Sequence, residues 1–291
     1  MATGGSTPER ESGPTALRIV LGSQLRRLRE AAEISRADAG YSIRGSESKI
    51  SRMELGRVGL KERDVRDLLT MYGVDDEDAR EKFLEMVRRS NSPGWWNRYT
   101  DLMPDWFQDY VGLEEAAARI LIYETQWVPG LLQTEEYALA IASHGRPELV
   151  TPEVRRRVSL RMQRQKVLAR PGAPRVWAVM DESVLFRPVG GREVLRTQID
   201  YLLSVTKSGP VTLQIVPYPL GGYAAKGPFT MLRFSEADLP DIVYLEHLAG
   251  ALYLDKLEEL EIYSRVFDRL TVDAETPDRT RQMLMKRRAE L

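Results

Sequence analysis

Ser46-Glu47-Ser48-Lys49-Ile50-Ser51-Arg52-Met53-Glu54, closed by Leu55-Gly56-Arg57, decides the fold of the front of this chain. A serine stands where a helix N-cap is wanted, and its hydroxyl can accept from the unsatisfied N–H groups of the first turn. Ile50 and Met53 are three apart and turn one face inward, which leaves Glu47, Ser48, Lys49 and Arg52 pointing out. A short helix with a polar, serine- and arginine-bearing outer face is the prediction.

Working outward, Ser35 caps a second short helix, with Asp38 in the capping-box position. Gly40 falls where two helices crossing at a steep angle need a small side chain. Ile43-Arg44-Gly45 makes the turn between the two, and Gly45 is expected to take its positive φ. Before them, Leu17, Leu21, Leu25 and Leu28 give residues 15–32 one apolar helical face, with Arg18, Arg26, Arg27 and Arg29 elsewhere. After them, Val65, Leu68 and Leu69 point inward from a helix over 61–72 that ends at Gly73. One outward-facing helix braced by its neighbours is the helix-turn-helix layout. In that layout Arg52 can donate two hydrogen bonds to a guanine and Lys49 can reach a base or a phosphate. Ser46 braces the helix start, and Arg36 and Arg57 are placed for phosphate contacts that fix register without reading sequence.

The whole chain has 291 residues, is 43% hydrophobic and holds no cysteine and only two histidines, His144 and His247. That length allows two domains, and the composition excludes disulfides, a thiol nucleophile and a histidine-rich metal centre. No apolar run is long enough to span a membrane. Residues 1–14 are small and polar without an apolar stretch, and are expected to form a disordered leader rather than a secretory signal. A cytoplasmic, nucleoid-associated protein without cofactor or metal is the expectation. The net charge of -1 conceals a split. Residues 1–72 carry 13 Lys/Arg against 10 Asp/Glu, and the remainder 29 against 33, consistent with a basic head on an acidic body.

Residues 15–74 are thus expected as the helix-turn-helix domain and 75–110 as a helical, aromatic linker. Asn91-Ser92-Pro93-Gly94 marks a break in the linker, and Trp95, Trp96, Tyr99, Trp106, Phe107 and Tyr110 follow as packing rings. Residues 111–291 read as α+β, a small sheet with flanking helices. Strand signals lie at 176–180, 211–216, 229–234, 242–245 and 251–254. Helices are predicted over 113–123, 135–143, 152–168, 193–207, 256–270 and 276–290. In 152–168 the cluster Arg155, Arg156, Arg157, Arg161, Arg164 and Lys166 reads as a solvated face or a protein contact.

Asp181, Glu182, Glu246, His247 and Tyr218 are the best catalytic candidates, but each has an ordinary structural role. No G-x-S-x-G elbow, phosphate loop or H-E-x-x-H occurs, so an enzyme is not expected. A small-molecule pocket near Tyr123, Gln133 and Tyr218 is the alternative use of the C-terminal domain.

Residues 17–74 resemble the XRE, or Cro/C1-type, helix-turn-helix family. Leu25-Arg26-Arg27-Leu28-Arg29-Glu30, Ser48 through Glu54, and Gly56-Arg57 carry the likeness. It implies that Glu47, Ser48 and Arg52 touch bases. Arg36 stands where that family has a phosphate-binding glutamine, and Arg44 where its turn has a glycine. Residues 95–270 resemble the C-terminal domain of unassigned function that follows such a head in many actinobacterial regulators. Tyr110-Val111-Gly112-Leu113-Glu114, Val128 through Thr134, Arg187 through Gly191, Gly227 through Thr230 and Leu252 through Lys256 carry this second likeness. It implies an antitoxin-like transcription regulator that binds a double-stranded operator and a small protein encoded nearby. A homodimer is expected.

Overall fold

The computed structural model describes residues 13–207, 209–220, 225–235 and 239–291. Residues 1–12 of the expected leader and the turn signal Gly221-Gly222 lie outside them. The chain divides into an N-terminal unit that ends at Trp95 and a C-terminal unit that begins at Trp96.

Five helices build the N-terminal unit: α1 (Pro14–Ala31), α2 (Arg36–Ser42), α3 (Glu47–Glu54), α4 (Glu62–Met71) and α5 (Glu77–Ser90). Their starts are written in the sequence. Pro14 pre-sets the first turn of α1, and Ser35, Ser46 and Asp76 cap α2, α3 and α5 with side-chain oxygens. Leu21, Leu25, Ile50, Met53, Val65, Leu68, Leu69, Leu84 and Val87 share one core. Leu84 and Val87 come from α5, so the expected linker 75–110 is not one: its first half completes the helical bundle.

Two glycines let the helices approach this closely. A Cβ on Gly40 would stand 2.8 Å from the Ser46 carbonyl carbon, so α2 meets the start of α3 backbone to backbone. A Cβ on Gly22 would stand 2.5 Å from the Met53 oxygen, which does the same for α1 and α3. The turn differs from expectation: Arg44, not Gly45, takes the positive φ, 54°. A Cβ on Gly45 would meet the flexible Lys49 side chain at 2.8 Å.

The C-terminal unit holds a six-stranded mixed sheet: β1 (Arg119–Glu124), β2 (Arg175–Asp181), β3 (Val211–Val216), β4 (Phe229–Arg233), β5 (Ile242–His247) and β6 (Gly250–Leu254). The order is β3-β2-β1-β4-β5-β6. β1, β2 and β3 run parallel, and β4, β5 and β6 add on antiparallel. Its helices are α6 (Asp105–Ala116), α7 (Glu135–Ala142), α8 (Pro152–Gln165), α9 (Ser183–Phe186), α10 (Arg192–Val205), α11 (Leu257–Asp273) and α12 (Pro277–Glu290). The central strand β1 overturns the helix expected over 113–123. Ile120, Leu121, Ile122 and Tyr123 are all buried, and a strand covered on both faces loses the alternation that would mark it.

One face of the sheet, with Leu121, Tyr123, Val179, Met231 and Val243, packs on Phe267 and Leu270 of α11. On the other face Tyr244 packs against Tyr110 of α6, the rings tilted at 33° and 4.2 Å between centroids. The free edge of β3 is closed by the chain around α12: the Ile215 N–H donates to Thr280 Oγ1, and the Glu275 N–H donates to the Ile215 carbonyl.

Candidate functional site

Two places in the chain bring functional side chains together, one in each unit. In the N-terminal unit, α3 buries Ile50, Met53 and Glu54 and exposes Ser46, Glu47, Ser48 and Arg52. Ser48 and Arg52 are four apart and so lie on one helix face. Among the described residues Arg52 and the exposed Arg57 make no ion pair, so both guanidiniums keep all their donors. Three other expected contacts, Ser46, Lys49 and Arg36, are engaged by groups of the bundle itself. Ser46 Oγ is spent on the Lys49 N–H, Lys49 Nζ lies 2.6 Å from Asp64 Oδ2 of α4, and Arg36 Nε lies 2.9 Å from Glu54 Oε2.

Glu54 is the hub that the sequence reading passed over. It is 5% exposed and accepts from Arg29 Nε at 2.5 Å, from Arg29 Nη2 at 3.2 Å and from Arg36 Nε. Arg29 is buried too, although the periodicity placed it off the apolar face of α1. Its position four residues after Leu25, at the border of that face, was the available signal. The hydrogen bond to Glu54 holds the Arg29 guanidinium above its ordinary range despite burial. The hydroxyl of Tyr72 is pushed up to about 12 by burial and by Glu54. This network ties α1, α2 and α3 together behind the exposed face. Tyr41 and Arg44 beside α3 are also exposed, Tyr41 at 87%, and were not among the expected contacts.

In the C-terminal unit a cavity of about 650 Å³ opens against the face of the sheet that carries Ile122, Thr230 and Tyr244. Of the three residues expected to line a pocket, only Gln133 does so. Tyr123 points to the opposite face because side chains alternate along β1, and it packs in the α11 core. Tyr218 is 55% exposed and lies against Phe186, 5.8 Å between centroids. The rings Trp106, Phe107 and Tyr110, expected as packing, form one wall.

The turn 128–134 forms another wall and is fixed by three glutamines. Gln133 Nε2 donates to the Val128 carbonyl at 2.6 Å, and Gln165 Nε2 donates to the carbonyls of Gly130 and Gln133. Gln198 Nε2 donates to the Leu132 carbonyl while its Oε1 accepts the Thr134 N–H. The basic face expected on α8 is only partly solvated: Arg155, Arg156, Arg157 and Lys166 are exposed, whereas Arg161 and Arg164 turn inward. Arg164 is buried in a two-bond ion pair with Glu114, 2.8 and 2.7 Å, over the rings of Phe107 and Tyr110. Burial opposes that guanidinium's charge, but Glu114 outweighs it and the net direction is up. Arg161 also faces the cavity and donates to Gln133 Oε1 at 2.7 Å; burial lowers it to about 10.

An exposed helix carrying Ser48 and Arg52, seated by Ile50 and Met53 at a glycine-tight crossing, defines a helix-turn-helix protein. Residues 20–82 match the family model described as a helix-turn-helix domain, which points to a DNA-binding regulator. Residues 107–286 match the family described as a domain of unknown function (DUF5753), and the chain belongs to that family. No curated protein and no solved structure matches the chain. Among the described residues no helix is long and apolar enough to cross a membrane, and no three His, Asp or Glu side chains group to hold a metal ion.

Proposed function

We propose that this chain is a sequence-specific transcription regulator that reads a two-fold operator as a homodimer, with no catalytic activity of its own. The observation that supports this best is Arg52: exposed, outside any ion pair among the described residues, and on the same face of α3 as Ser48. Arg52 donates to a guanine edge, Ser48 meets the neighbouring base, and Glu47 accepts from a cytosine amine. Arg57 contacts phosphate. Arg36 and Lys49, held by Glu54 and Asp64, orient the helix more than they touch DNA. In the dimer two copies of α3 enter successive major grooves about 34–36 Å apart. The C-terminal domain dimerises and, as the resemblance to antitoxin-like regulators implies, takes a small protein partner. Mobility shift of the full chain on the DNA upstream of its own gene tests this. Selective binding lost in Arg52→Ala is expected; equal binding to scrambled DNA would count against it.

The cavity favours a second reading, in which the C-terminal domain senses a small molecule. At about 650 Å³ it lies inside the range of ligand pockets, about 300–1,000 Å³, and it joins aromatic walls to a few inward-facing polar groups. A ligand that binds one state of the regulator better than another shifts its DNA affinity.

A further inference from the structure

The cavity has an unbalanced set of charges. Glu114, Glu124, Glu246, Arg161 and Arg164 line it, with the His247 ring beside Glu246. Glu114 and Arg164 neutralise each other through their two-bond pair. Among the described residues, two carboxylates, Glu124 and Glu246, then share the cavity with one guanidinium, that of Arg161, which donates to the neutral Gln133. Among the described residues neither carboxylate has a Lys or Arg at ion-pair distance; Glu246 accepts only the Tyr244 hydroxyl, at 3.0 Å.

The sheet register explains why the two acids face each other. Ile122 pairs with Thr230, and Thr230 with Tyr244. Continuing both ladders by two residues puts Glu124, Pro228 and Glu246 in one row across β1, β4 and β5. Adjacent strands lie about 4.8 Å apart, so the two backbones are separated by about 10 Å. Pro228, between them, offers no charge and no N–H. The same three positions line the cavity. Burial, and after it the charge of Glu246, pushes the Glu124 carboxyl up to about 7, as a site short of positive charge would.

We propose that this cavity binds a small organic cation, an ammonium or amidinium on an apolar ring-sized body, with its charge between Glu124 and Glu246 and its body against the Trp106 and Trp127 walls. Among the described residues an anion would have Arg161 and the His247 ring to meet, with two carboxylates to oppose it. The inference rests on the reading of the C-terminal domain as a small-molecule sensor and names the ligand class for it. It does not depend on DNA binding.

The test is calorimetric titration of the full chain at pH 8 and low salt with three matched probes: phenethylamine, phenethyl alcohol and 3-phenylpropionate. The amine is expected to bind at least tenfold more tightly than the alcohol or the acid. The double variant Glu124→Gln/Glu246→Gln, checked for an unchanged fold by circular dichroism, is expected to lose that preference. A preference for the carboxylate, or an amine affinity unmoved in the double variant, overturns the cation class and leaves a ligand site standing. No binding by any of the three overturns the sensor reading along with it.

Discussion

Glu124→Gln should stabilise the C-terminal unit at alkaline pH and leave it nearly unchanged in acid. In the folded protein the carboxyl sits at about 7, against an ordinary 4.5, because of burial and then Glu246; the Thr125 backbone N–H and Arg161 pull the other way and lose. The folded state therefore holds a proton that the unfolded chain has released between those two values. Stability falls as pH rises through that window, and above it the full cost of the buried charge is present. At 1.36 kcal/mol per pH unit, the gap between 4.5 and about 7 corresponds to roughly 3 kcal/mol. Glutamine keeps the shape and removes the charge. Wild type and variant should then differ little at pH 4.5 and by up to roughly 3 kcal/mol at pH 8, with the variant the more stable. Urea unfolding followed by tryptophan fluorescence suits the measurement, because Trp96, Trp106, Trp127 and Trp177 all belong to the C-terminal unit. A gap that does not change with pH, or a variant less stable at pH 8, would refute the reasoning.

In the N-terminal unit, Glu54→Ala should cost about 3–5 kcal/mol, because it leaves the buried guanidinium of Arg29 uncompensated. Loss of helical circular dichroism at a lower urea concentration would show it, and an unchanged midpoint would contradict it. Gly40→Val drives a side chain into the backbone at Ser46 and should cost about 1–3 kcal/mol or more, with DNA affinity falling as α3 is displaced. The same two measurements check this, and a variant that keeps both stability and affinity would contradict the close crossing. The cation preference of the cavity and its loss in Glu124→Gln/Glu246→Gln make the remaining prediction, read by calorimetry.

The N-terminal bundle was legible because its signals are local. Ser35 and Ser46 cap the helices they were expected to cap, Gly40 lies at the crossing, and Ile50 and Met53 face inward. Local signals failed where tertiary structure decided. Arg44 takes the positive φ that glycine adopts more easily, although Gly45 stands beside it. Arg29 and Glu54 look like surface charges until each is seen to be the other's partner, 25 residues away. Strand β1 carries an unbroken apolar run, which periodicity cannot distinguish from a buried helix. Arg161 and Arg164 belong to a helix rich in exposed arginines, and nothing in their spacing tells that Glu114 and Gln133 lie beneath them. The pocket expectation found Gln133 but not Tyr123 or Tyr218. Which face of a strand Tyr123 takes depends on the register of β1, and that strand was missing from the reading.

The role of α3 as the DNA-reading element is measured most directly by a salt titration of binding to the DNA upstream of the gene by wild type, Arg52→Ala and Arg57→Ala. Arg52→Ala should lose about 1–3 kcal/mol on the specific site and little on scrambled DNA. Arg57→Ala should weaken both alike and reduce the slope of log affinity against log salt by about 1. If both variants weaken specific and scrambled DNA by the same factor, or if neither changes binding at all, α3 does not read the operator.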